Sequence, residues 1–132
     1  MAVDGLLTHT SPHEPAQTIA RLMAEIAARS LTVFAEIDHA AGAEAVGLTL
    51  RPLYLIIFGA AKGGTPLMQA AATMGIDLPL KLLVWRDASG ETQVAYNDPK
   101  WLAERHGLGD AVDGPVAALA GALSAIVAAA TA

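Results

Sequence analysis

Residues 53–66 read LYLIIFGAAKGGTP, and the architecture is decided there. Leu53–Gly59 is almost wholly apolar, the pattern of a strand in the interior of a sheet. A Lys-Gly-Gly-Thr-Pro turn follows, and Thr65-Pro66 has the N-cap and N1 order of a helix start. Gly75 supplies a C′ stop, so the expected helix has only about two and a half turns. Through the wider stretch 37–85 the chemistry-bearing residues are few: Asp38, His39, Lys62, Thr65, Asp77 and Lys81. Sparse charges in an apolar background have the look of a site.

Upstream, Leu6–Thr10 reads as a short strand. Ser11-Pro12-His13-Glu14 has capping-box spacing, while Pro15 offers a second helix start. Ile19, Leu22, Met23 and Ile26 recur at helical spacing to about Ser30. LTVFAEI forms the next strand and ends at Asp38-His39. AAGAEAVGLTL is read as a loop or short helical turn leading to a strand or approach segment near Gly47–Leu50. Downstream, Leu80–Trp85 and Thr92–Tyr96 form a hairpin about Asp87-Ala88-Ser89-Gly90. Asp98-Pro99 opens a helix that stops at Gly107. After Pro115, Val116, Leu119, Leu123, Ile126 and Val127 mark the inner face of a last helix. The order β-α-β-β-β-α-β-β-α-α lacks regular alternation, which gives an α+β domain with a mainly antiparallel sheet.

The chain has 132 residues, 54% apolar and 16% charged, with a net charge of −5 and no cysteine. That suits one domain, 1–132, with a core of its own. Scattered basic residues and an acidic balance argue against nucleic acid. Thiol chemistry, disulfides and thiolate metal sites are excluded. The histidines have no metal-ligand spacing, and no G-x-S-x-G elbow is present. No cofactor is expected. MAVDGLLTHT lacks the features of a signal peptide, and Val116–Ala130 is too short, too alanine-rich and too amphipathic to span a bilayer. A cytoplasmic location and no membrane partner are the expectation.

Lys62-Gly63-Gly64-Thr65 lies where phosphate loops lie, between a buried strand and a helix. Its lysine precedes both glycines, the wrong order for a Walker A loop. A small-anion or carboxylate site is the sharper reading, and a structural turn with a solvated lysine the plainer one. Asp38-His39 ends a strand; His39 is a candidate base or ligand contact, Asp38 a candidate cap. Asp77-Leu78-Pro79-Leu80-Lys81 places opposite charges around an apolar triplet held extended by Pro79. Lys81 shares its strand face with Leu83 and Trp85.

Ile37-Asp38-His39-Ala40, Val46-Gly47-Leu48, Phe58-Gly59, Lys62, Gly64-Thr65, Asp77–Lys81, Val84-Trp85 and Tyr96-Asn97 occur in an order that resembles the domain-of-unknown-function 302 (TT1751-like) family. The resemblance covers about Ser11 to Gly107. Where that family has Asn-Pro, this chain has Ala60-Ala61, so the turn carries no Asn side chain. The resemblance implies an α+β, TATA-binding-protein-like architecture with a curved antiparallel sheet backed by helices, and self-association as a homodimer. It implies no activity, and fold analogy alone imports none.

The leading expectation is a small-ligand-binding domain with an anion near Lys62–Thr65 and with Asp38, His39, Asp77 and Lys81 as further contacts. The enzyme alternative makes His39 a general base and Lys62 or Lys81 an electrophilic stabiliser, in hydrolase- or isomerase-like chemistry. A third reading makes the domain a structural partner in dimerisation.

Overall fold

The computed structural model describes residues 2–132. Strand β1 (Leu6–Ser11) is followed by helix α1 (Pro15–Ala28), strand β2 (Thr32–Asp38) and helix α2 (His39–Ala45). Strand β3 (Leu53–Gly59) leads into helix α3 (Ala61–Ala70) and a 3-10 segment, Ala72–Ile76. Strands β4 (Leu80–Arg86) and β5 (Thr92–Asn97), helix α4 (Pro99–Arg105), a 3-10 turn at Asp110–Val112 and helix α5 (Asp113–Ala130) complete the chain. The five strands form one sheet in the order β1-β5-β4-β3-β2, every pairing antiparallel. The α+β expectation holds.

Alternation along the strands assigns the two faces of the sheet. Ile56, Phe58, Leu82, Val84, Val94 and Tyr96 point to the side that α1 and α5 cover, meeting Leu22, Ile26, Leu123, Ile126 and Val127. A second cluster, Leu67, Met74, Leu102, Val112 and Val116, lies where α3, α4 and α5 converge. On the opposite face, Leu55, Ile57, Leu83 and Trp85 are only partly buried, by one another and by neighbouring strands. α1 and α5 are tied at their ends: the Arg21 guanidinium donates to the carbonyls of Ala130 (2.7 Å), Ala129 (3.3 Å) and Ala132 (3.2 Å). These are the orphan acceptors at a helix C-terminus, where a cation also suits the dipole.

Two readings that the sequence left open are resolved, and one expectation, the start of α3, changes. α1 starts at Pro15, and Ser11 does not cap it; Ser11 is buried against Thr18, with 2.7 Å between hydroxyls. Gly47–Leu50 forms no strand, and the preceding segment is a true helix, capped by Asp38 accepting from the Ala41 amide at 2.9 Å. α3 begins four residues before Thr65, which places Pro66 inside the helix. Proline there removes the amide that would bond the Lys62 carbonyl, and the helix continues past it to Ala70.

The edge strand β2 has a bulge between Val33 and Ala35, so Phe34 is the extra residue and stands 54% exposed. At the other end of β2, the Tyr54 hydroxyl donates to Glu36 at 2.7 Å. That bond, with burial and the charges of Glu36 and Asp38, pushes the phenol up to about 12.

Candidate functional site

The β3–α3 junction is built around Gly59, whose φ of +153° is a backbone state that side chains rarely permit. It lets the chain leave the sheet and enter α3 at once. Beneath this junction lies a crevice of about 270 Å³, walled by Gly59–Ala61, Gly63 and Gly64 on one side and by Leu78–Leu80 on the other. Phe34, Met68, Leu119 and Ala122 close it, so its lining is almost entirely carbon. The Leu78–Pro79 peptide bond is cis.

The two glycines of the turn serve packing. A β-carbon on Gly63 would sit 3.3 Å from Leu119 Cδ2, and one on Gly64 would sit 3.3 Å from Leu78 Cδ1. Their amides are also engaged, both donating to the Ala60 carbonyl at 3.0 and 3.3 Å. A helix start leaves four amides free for an anion; here the Gly64 bond is the ordinary first bond of the helix, and of those four only the Gly63 amide is already satisfied. Lys62 and Thr65 are exposed on the first turns of α3. The sequence suggested an anion cradle at this turn, whereas the space beside it is apolar.

Asp77 and Lys81 flank the opposite wall. Lys81 Nζ donates to the carbonyls of Asp77 (3.3 Å) and Pro79 (3.1 Å). Burial pulls its ammonium below the usual lysine range, and the Asp77 charge offsets part of that. The Asp77 carboxylate turns the other way: its Oδ2 accepts from Arg105 Nη1 at 2.7 Å and lies 2.5 Å from His106 Nε2. His106 Nδ1 in turn meets Thr73 Oγ1 at 2.8 Å. This polar clasp fastens the end of α4 to the segment that leads into Leu78 and β4. Sequence reasoning gave no role to Thr73, Arg105 or His106. The available signal was Arg105-His106 in the last turn of a short helix just before Gly107.

Burial pushes the Asp77 carboxyl up, but the His106 hydrogen bond and the Arg105 charge and hydrogen bond outweigh it and hold it below the usual range. A carboxyl depressed in the folded state stabilises the fold above its unfolded pKa, about 3.9, and that contribution disappears as pH falls through the folded value. Asp77→Asn is therefore expected to flatten the loss of stability below about pH 4. Chemical unfolding at pH 3, 4 and 6 reads this, and an acid limb as steep as wild type would remove the clasp.

Asp38 and His39 do not join these residues. β2 pairs Thr32 with Gly59 and Asp38 with Tyr54, so Asp38 lies about 17 Å along the sheet from the junction. His39 is exposed at the start of α2 and makes no side-chain hydrogen bond among the described residues. Asp38 instead lines a larger groove of about 790 Å³ between α1, α2 and residues 48–54, together with Glu14, Glu44, Tyr54 and Arg86. The six sequence candidates thus divide: Lys62, Thr65, Asp77 and Lys81 are chain neighbours of the residues that wall the crevice and do not themselves line it, Asp38 lines the groove, and His39 follows it outside the lining.

Comparison with known proteins bears on the fold and the family. A crystal structure of an uncharacterised conserved DUF302 protein from Bacillus stearothermophilus superposes with a TM-score of 0.85 at 18% identity, over 97% of this chain and 99% of that one. Two curated relatives are named fluoride-specific ion channel FluC 1, from Brucella suis biovar 1 (strain 1330) and Brucella abortus biovar 1 (strain 9-941). Each is 46% identical over 115 residues, which are 87% of this chain but 45% and 43% of those proteins. The chain therefore spans less than half the length of the curated relatives it matches. The family described as domain of unknown function DUF302 matches residues 7–126, and the chain belongs to that family.

Proposed function

We propose that this domain binds a small ligand at the β3–α3 crevice, with an apolar group in the crevice and an anionic end toward Lys62. The carbon-lined space between Gly59–Gly64 and Leu78–Leu80 carries this reading. An apolar cavity of about 150 Å³ already takes up benzene, so about 270 Å³ accommodates an aryl or short acyl group. Lys62 is the main source of attraction for a carboxylate, since the helix dipole at an exposed end contributes only about 0.3–1 kcal/mol.

Calorimetric titration with medium-chain and aryl carboxylates tests it. Ala122→Phe fills the crevice from α5 and is expected to abolish uptake while the domain stays folded. Lys62→Ala is expected to weaken uptake of the acids but not of the matching alcohols. Unchanged binding in Ala122→Phe would place the ligand elsewhere.

A second reading is favoured by the Brucella relatives: the domain is the companion of a membrane ion channel. In that reading the domain takes up the ion on behalf of a pore that resides in the part of those chains it does not match. Its own helix over Asp110–Ala130 is long and apolar enough to cross a membrane by length and composition, but Leu123, Ile126 and Val127 are committed to packing on the sheet. A sodium fluoride arm of the same titration separates the readings. Saturable fluoride uptake that survives Ala122→Phe would favour the companion role over the crevice.

A further inference from the structure

The groove bounded by α1 and α2 holds an unused hydrogen-bond donor. Arg86 ends β4 with its side chain on the helix side of the sheet, continuing the alternation of Leu82 and Val84. Its Nη2 is ion-paired with Glu14 Oε2. Its Nε–H is shielded from solvent and has no partner among the described residues. Buried donors are almost always satisfied, so one left over in a native fold calls for a cause. Guanidinium binds carboxylate best through two parallel N–H···O bonds from adjacent nitrogens. Glu14 reaches only one of them.

The backbone around Arg86 fixes the platform. Its amide donates to the Pro52 carbonyl at 3.1 Å, and its own carbonyl accepts from Arg51 Nε at 3.3 Å. Glu14, by contrast, has a side chain 73% exposed and is free to swing into water. Asp38 and Glu44 also line the groove, and Ile19 and Leu50 contribute apolar surface to it. The register Val84–Tyr54–Asp38 places Asp38 two strands across and two residues along from Arg86, about 12 Å by strand geometry. One end of the groove therefore suits a carboxylate, the other an ammonium, with apolar surface in its lining.

We infer that this groove binds a short apolar peptide by its free termini, the C-terminal carboxylate displacing Glu14 to take both Nε and Nη2 of Arg86, the amino end lying toward Asp38 and Glu44. Glu14 is the placeholder that keeps half of the fork occupied when no peptide is bound. The Arg86 and Asp38 side chains take up part of that backbone separation, and two or three residues at about 3.3 Å each cover about 7–10 Å of the rest, which an α-amino acid does not. The site is separate from the crevice, so the two proposals stand or fall independently.

The test uses the tripeptide Ala-Leu-Ala with free termini, its C-terminal amide and its N-acetylated form, titrated into the full chain by calorimetry and by NMR of the arginine Nε–H. The free peptide is expected to bind and to shift the Arg86 Nε–H resonance. The amide is expected to bind on the order of tenfold more weakly, because it loses the charge-assisted pair. Glu14→Gln removes the competing carboxylate and is expected to tighten binding. Arg86→Lys keeps the charge without the fork and is expected to weaken it on the order of tenfold. Ala122→Phe is expected to leave all of this unchanged. Equal binding of acid and amide, weaker binding in Glu14→Gln, or no binding of the free peptide would each overturn the inference.

Discussion

Phe58→Ala is expected to cost about 3–5 kcal/mol of unfolding free energy. Among the described residues Phe58 is the largest fully buried side chain, and it sits near the end of β3 on the face covered by α1 and α5. Truncation removes the ring's transfer term and leaves a cavity that rigid neighbours on two layers cannot close. Against a typical total of 5–15 kcal/mol, much of the population would unfold on mild warming. Urea unfolding measures the loss as a shift in midpoint at unchanged slope. A loss below about 1 kcal/mol would mean that the two layers collapse around the gap, and that the main cluster is less tightly packed than its burial implies.

Gly5→Ala is the second large effect, and it arises from outside the core. Gly5 has φ +74°, and a β-carbon there would lie 2.3 Å from Trp101 Cδ2 and 2.5 Å from Cε3. The indole of α4 rests directly on this glycine, while the Gly5 carbonyl accepts from the Asp98 amide at 2.7 Å. Asp98 caps α4 through the Lys100 amide, so β1, β5 and α4 are pinned at one point. An alanine in the left-handed region costs about 1–2 kcal/mol, and displacing a packed ring adds about 1–3 kcal/mol. The cycle with Trp101→Ala separates the two terms: with the ring gone, only the backbone part should remain. Full additivity of the two substitutions would show that the indole does not occupy the space over Gly5.

The elements that the sequence disclosed are those with a strong local rule. Leu53–Gly59 is a buried strand because every residue is apolar, and the β4–β5 hairpin follows from Asp87, whose carboxylate accepts from the Ser89 and Glu91 amides at 3.0 Å. The start of α3 was misjudged because Thr65-Pro66 obeys the capping rule while tertiary packing extends the helix back to Ala61. Gly63 and Gly64, good anion-loop residues by composition, are glycines because Leu119 and Leu78 press against them. Nothing local reports such a contact. The same holds for the Thr73–His106–Asp77–Arg105 clasp and for the Glu14–Arg86 pair, whose bonded partners are 28 or more positions apart and meet only in the fold. Asp77 and Lys81 were legible as unusual, though not the direction in which each would turn.

The bulge at Phe34 has a consequence for how the domain behaves in a crowded solution. β2 is a free edge with unpaired backbone groups, and such an edge invites a strand from another chain. Without Phe34 the ladder from Val33–Phe58 to Ala35–Ile57 would run unbroken, and every other side chain would keep its face. The extra residue therefore contributes nothing to the register of the strand that carries it. It interrupts the edge and bends it away from a flat template, while its half-exposed side chain lines the rim of the crevice. One inserted residue both keeps foreign strands off the sheet and completes the wall of the space beneath it.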